Sequence, residues 1–285
     1  MADTAEAPTN QQTENTAPAM SGMDSILATL KPIAKFKVRS YETSKDVHIP
    51  LLQSLTKDNP GNGPTVVLLG DSMIERMITT GGTPNLAPWP SPAMFSDELL
   101  AEYQMEDGPP ITRLDGVFNA GVGGDKIQNV AYRLVGDEER GLPGLLPMLA
   151  QCGTVKVWVV HVGTNNLSAK HGLGFENTKA LEVLIEALLS VSPKVLVTGL
   201  FDRKDMPPGA VWQANDAMKG VGNVLMDRCG SRVLFIPRPL GFKMDEHLED
   251  HVHLNLDGYR LWVENLFMSV VAALNQVSQW DWQPS

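Results

Sequence analysis

Cysteine is nearly absent from this chain. Its two cysteines, Cys152 and Cys229, in 285 residues make neither a disulfide framework nor a metal-ligand spacing. That excludes the small secreted scaffolds held by disulfides and points to a reducing, cytoplasmic setting. Positive charge is also short, with 23 Lys and Arg against 33 Asp and Glu and a net charge of −10. Without a basic cluster the chain has nothing to neutralise phosphates, which excludes a nucleic-acid partner. The amino terminus lacks the basic and apolar regions of a secretory signal. The longest apolar run near the end, residues 261–274, is broken by Glu264 and Asn265 and is too short and polar for a membrane span. Residues 1–24 hold no Lys or Arg and little that could be buried, so they are expected to form a disordered tail.

The whole chain is 43% hydrophobic and long enough for one good-sized core or two small ones. Residues 25–63 read as a helical amino-terminal extension, with helices over 25–34 and 47–57. A Pro/Gly cluster, residues 58–64, closes that extension. One domain is expected over residues 64–280. Within it, apolar runs at 66–69, 113–119, 155–162, 195–200 and 233–237 read as strands. They alternate with helical patterns after Ser72, after Asp125, over 175–191 and 211–228, and from Asn255 or Asp257 to 274. That alternation predicts a five-stranded parallel sheet covered on both faces, a three-layer α/β/α sandwich. Residues 79–110, with six prolines, are too irregular for one long element apart from a helix near 96–103. Trp89, Met94 and Phe95 let this connection pack, either over a site or as a surface decoration.

In such sheets ligands bind beyond the carboxyl ends of the strands, and the unusual residues of this chain fall there. Ser72 stands in the tight turn after the first strand, where a nucleophile belongs; this stretch alone favours Asp71 and Ser72 merely capping the next helix, and three later stretches reverse that. Gly121-Val122-Gly123-Gly124 follows the second strand, Asn165-Asn166 the third, and Asp250-His251-Val252-His253 the fifth and its loop. A nucleophile, a glycine turn, a side-chain amide and a carboxylate with an imidazole are the parts of a serine esterase. Other readings fit less well. The sixth position of a dinucleotide fingerprint falls on Lys126, and the position that would be glycine in a G-x-S-x-G elbow is Ile74. Asp245, His247, Glu249, Asp250, His251 and His253 could form a metal site, but they lack the helical H-E-x-x-H spacing. His161 reads as a hydrogen-bonded core residue.

Gly70-Asp71-Ser72-Met73, Asn119-Ala120-Gly121-Val122-Gly123-Gly124, Gly163-Thr164-Asn165-Asn166 and Asp250-x-x-His253 together resemble the four blocks of the SGNH (GDSL) hydrolases, in order and relative spacing. Within that superfamily the chain most resembles the intracellular platelet-activating-factor acetylhydrolase catalytic subunits. Shared with them are the Gly-Asp-Ser-Met turn, the Val162-Gly-Thr-Asn-Asn166 strand end, Gly199-Leu200 with Arg203, and His253-Leu-Asn with Gly258-Tyr259. The resemblance implies a flavodoxin-like strand order 2-1-3-4-5. It also implies Ser72 as nucleophile, Asp250 and His253 as its partners, and an oxyanion hole of the Gly124 N–H, the Asn165 side chain and the Ser72 N–H. It implies hydrolysis of a small ester, a short acyl group such as acetyl on a lipid-like or small alcohol, with no metal or organic cofactor. A homodimer is an assembly it allows. A carbohydrate O-acetylesterase, or a non-catalytic binding module on the same fold, is the alternative. The chain departs from those subunits in its first 63 residues, in the length of the 79–110 connection, and at His161.

Overall fold

The computed structural model describes residues 22–104 and 110–277. The expected tail therefore lies outside the described residues, except that Gly22 to Asp24 open the first helix rather than end the tail. The helices α1 (Gly22–Leu30) and α2 (Val38–Thr43) come first, and α2 runs through a π-helical turn, Ser44–His48, into α3 (Ile49–Thr56). The sheet region follows as β1 (Val66–Gly70), α4 (Ser72–Thr79), α5 (Asp97–Glu102), β2 (Val117–Gly121), α6 (Ile127–Val135), α7 (Leu145–Cys152) and β3 (Val157–His161). It continues with α8 (Phe175–Leu189), β4 (Lys194–Thr198), α9 (Pro208–Cys229), β5 (Val233–Ile236), α10 (Met244–His247) and α11 (Leu256–Val277).

Among the described residues the strands form one parallel sheet of five, in the order β2-β1-β3-β4-β5. This is the fold class and strand order expected from the sequence. Strands buried on both faces need apolar residues at every position rather than alternate ones, which is why they read as continuous runs. The pleat sends Val67, Leu69, Trp158 and Val160 to one face, where they pack with α1, α3 and α6 to α9. Val66, Leu68, Val157 and Val159 face the other way, onto α4 and α11. Leu30, Ile49 and Leu52 of the amino-terminal helices sit in the first of these clusters, so the extension shares the core of the sheet.

Several elements differ from expectation, α2 and α10 among them, since neither was expected. The second strand begins at Val117, paired with Val66, rather than at Arg113. Leu114 instead forms an antiparallel bridge with Trp89. That bridge belongs to the 79–110 connection, of which residues 105–109 lie outside the described residues; residues 85–89 run beside the open edge of β2, where Leu86 N–H donates to Val117 O and Asn85 exchanges two bonds with the Asn119 backbone. Trp89 and Phe95 then pack on Phe267 of α11, with ring centroids 5.8 and 5.1 Å away. The connection thus covers an edge strand, whose free backbone groups would otherwise invite pairing. Helix α7 was not expected, because it is short and carries Pro147 in its first turn; there the missing N–H costs nothing.

No helix among the described residues is long and apolar enough to cross a membrane. The register sets Gly70 beside both Gly121 and His161. Three strands therefore end level, and the segments that follow them meet at one end of the sheet.

Candidate active site

Ser72 is the first residue of α4. Asp71 caps that helix, its Oδ1 accepting from the Met73 N–H at 2.9 Å, so the capping role falls to the aspartate. The serine hydroxyl is directed elsewhere: Ser72 Oγ lies 2.9 Å from His253 Nε2. His253 Nδ1 is 2.7 Å from Asp250 Oδ2. The other oxygen of Asp250 accepts from the backbone N–H groups of Val252 and His253, at 2.8 and 2.7 Å. Partial burial pushes the Asp250 carboxyl up, but the imidazole and those two N–H groups outweigh it and hold the carboxyl well below the usual range. A buried Tyr259 hydroxyl donates to Met73 O at 2.9 Å and ties α11 to the turn carrying the serine.

The neighbouring histidines point away. His247 Nδ1 lies against the Lys243 backbone, and the exposed His251 faces Asp205 at 3.7 Å. Among the described residues, no group of three or more His, Cys, Asp or Glu side chains is placed to hold a metal ion. His161 is buried between Phe201 and Trp262, with Nδ1 2.8 Å from Thr198 Oγ1. Burial alone pushes its imidazole down to about 3.

Gly124 has φ +73°, a conformation that side chains rarely adopt, and a Cβ there would lie 3.0 Å from Lys37 Nζ. Asn165 reaches this loop from the β3 end, its Nδ2 donating to Asp125 O at 2.9 Å and lying 3.5 Å from Asp71 Oδ2. One amide N–H is therefore well bonded, and the second makes only a long contact. Burial raises the Asp71 carboxyl to about 7, against the opposing pull of the Met73 N–H. Asn166 is differently employed: its Oδ1 accepts from Ile127 N–H, and its Nδ2 donates to Gln128 and Asn177, joining α6 to α8.

Sequence reasoning missed the support beneath the glycine loop. Asp125 is fully buried and takes Ser40 Oγ at 2.6 Å on one oxygen and Arg133 Nε at 2.8 Å on the other. The buried Arg133 also donates to Ala120 O and Gly70 O, bracing the ends of β2 and β1. The signal was a charged residue on the inner face of α6, whose other buried residues are apolar apart from Asn129.

No family model and no curated protein matches the chain. Solved structures do. A Clostridium thermocellum family 3 carbohydrate esterase aligns at 19% identity over 74% of this chain and 98% of its own, with TM-score 0.50. A family 3 carbohydrate esterase from Talaromyces cellulolyticus aligns at 18% identity over 75% and 99%, with TM-score 0.47. A lipolytic protein of the G-D-S-L family from Veillonella parvula aligns at 16% identity over 72% and 97%, with TM-score 0.43. At these identities the likeness is one of fold.

Proposed function

We propose that the chain is a serine hydrolase of carboxylic esters that works through an acyl-serine intermediate. The observation that carries this reading is the continuous relay from Ser72 Oγ to His253 Nε2 and from His253 Nδ1 to Asp250, at 2.9 and 2.7 Å. In the first step Ser72 Oγ attacks the acyl carbon while His253 takes its proton, and Asp250 stabilises the imidazolium. The carbonyl oxygen becomes an oxyanion, received by the Gly124 N–H, the second N–H of Asn165 and the Ser72 N–H at the start of α4. Collapse breaks the bond to the alcohol, which leaves with the proton from His253. A water molecule then repeats the sequence on the acyl-serine and releases the acid.

The motif resemblance supports a short acyl group, such as acetyl, on a lipid-like or small alcohol. A sugar O-acetyl ester is the second reading, and the fold shared with a family 3 carbohydrate esterase favours testing it. Free Cys152 and Cys229 support a reducing, cytoplasmic setting.

A fluorophosphonate probe should label Ser72, and Ser72→Ala should remove both labelling and turnover of short esters. Profiling p-nitrophenyl esters of increasing chain length beside an acetylated xyloside separates the two substrate readings. An unlabelled wild-type protein that hydrolyses neither would leave a non-catalytic binding module on this fold.

A further inference from the structure

The glycine loop is gripped from outside the sheet region. Lys37, just before α2, sends its Nζ to Gly123 O at 2.8 Å and to Asp125 Oδ1 at 3.4 Å. The carbonyl is the shorter of the two bonds. Asp125 is moreover already paired with Arg133 at 2.8 Å, so the lysine is not needed to neutralise it. Gly123 O and the Gly124 N–H belong to one peptide group, planar and trans, in which carbonyl and N–H point in opposite directions. A cation fixed on the carbonyl therefore fixes the aim of the N–H. It also draws electron density from that peptide, which strengthens the N–H as a donor.

We infer that Lys37 is a positioning residue for ester hydrolysis, which aims and polarises the Gly124 N–H toward the oxyanion, and that the amino-terminal extension thereby completes the active site. The inference rests on the hydrolase reading above. The lysine's backbone is held independently of its side chain. Lys35 N–H donates to Gln128 O, Asn129 Nδ2 donates to Lys35 O, and Arg39 pairs with Glu75 of α4 at 2.9 Å. Removing the ammonium should leave the segment docked.

The test compares Lys37→Met and Lys37→Arg with the wild-type chain, in kcat and KM on p-nitrophenyl acetate and in thermal unfolding. Lys37→Met should lower kcat about 10-fold, less than the ~10²–10³ expected for deleting an oxyanion donor outright, with KM within about twofold. Its Tm should stay close to wild type, and Lys37→Arg should recover part of kcat. A kcat within about twofold of wild type overturns the inference. So does a loss that tracks a lowered Tm and is not recovered by arginine, which would make Lys37 a structural staple. An active wild type with an unaffected Lys37→Met refutes this inference alone. A wild type that neither turns over the ester nor takes fluorophosphonate on Ser72 removes the hydrolase reading, and this one with it.

Discussion

Replacing Arg133 with methionine tests whether the ends of β1 and β2 are held as described. The guanidinium is fully buried, and its three bonds reach Asp125 Oδ2 at 2.8 Å, Ala120 O at 2.9 Å and Gly70 O at 3.2 Å. Methionine keeps the stem and loses every donor: the buried Asp125 loses its partner on Oδ2 and Ala120 O loses the guanidinium, while Gly70 O keeps the Val122 N–H at 3.1 Å. Breaking such a pair from one side costs ~3–5 kcal/mol. Ser40 and Lys37 still reach Asp125, so the lower end, about 3 kcal/mol, is expected. An unfolding entropy of ~2.1 cal/mol/K per residue over about 250 residues, 22–104 and 110–277, gives ~0.5 kcal/mol/K, so Tm should fall by about 6 °C. The double variant Asp125→Leu with Arg133→Met strands no charge and should lose less than the sum of the two single changes. Urea unfolding of the three variants gives both numbers. A loss below about 1 kcal/mol for Arg133→Met, or strict additivity in the double, would refute the reasoning.

Asn165→Ala should lower kcat by ~10²–10³ with little change in KM, whereas Asn166→Ala, which severs two bonds to α6 and one to α8, should lower Tm with the smaller effect on kcat. The reverse pattern in steady-state kinetics and melting would exchange their roles. His253→Ala should cost nearly as much turnover as Ser72→Ala, and His251→Ala, which loses only a 3.7 Å contact with Asp205, should cost little. An inactive His251→Ala beside an active His253→Ala would break the assignment. Acid should destabilise the fold through His48 and His161, both buried and pushed from 6.5 down to about 3 by burial, with Arg133 adding to the effect on His48. The unfolded chain takes up their protons first, so their stabilisation is whole above about pH 6.5 and falls toward pH 3, by ~1.4 kcal/mol per pH unit for each. Asp71, raised to about 7, works against them, because its proton stays bound longer in the fold. Urea unfolding between pH 7.5 and 4.5 should show a slope about one proton shallower in His161→Gln than in wild type; equal slopes would refute the burial argument.

The sheet was legible because β1, β3 and β4 are buried on both faces, which forces apolar runs along them. β2 was legible only in outline. Its middle residue, Asn119, is polar yet buried, with its amide donating to Ile74 O and accepting from Gly121 N–H, so the apolar pattern breaks where the strand does not. The residues before it, Arg113 to Asp115, look like strand but serve the turn and the bridge to Trp89. Which of two roles the 79–110 connection plays could not be read either, since what it covers is an edge strand contributed by residues after it.

The same division between local and distant contacts runs through the site. Asp250-x-x-His253 is nearly self-contained: one carboxylate oxygen takes the N–H groups of Val252 and His253 while the other takes the imidazole. A turn that satisfies itself leaves a signature in four residues, as do a capping Asp71 before Ser72 and a glycine at φ +73°. What holds these turns relative to one another leaves little more than the charged Arg133 among the buried residues of α6. Ser40 and Lys37 meet Asp125 across 85 and 88 residues, and Arg133 meets Gly70 across 63. No periodicity or motif links such positions, because the requirement is only that a donor arrive at a buried acceptor, and any segment that folds against the loop can supply it. The extension before β1 read as separate from the chemistry for this reason, although it supplies two of the three side chains that meet the Asp125 carboxylate.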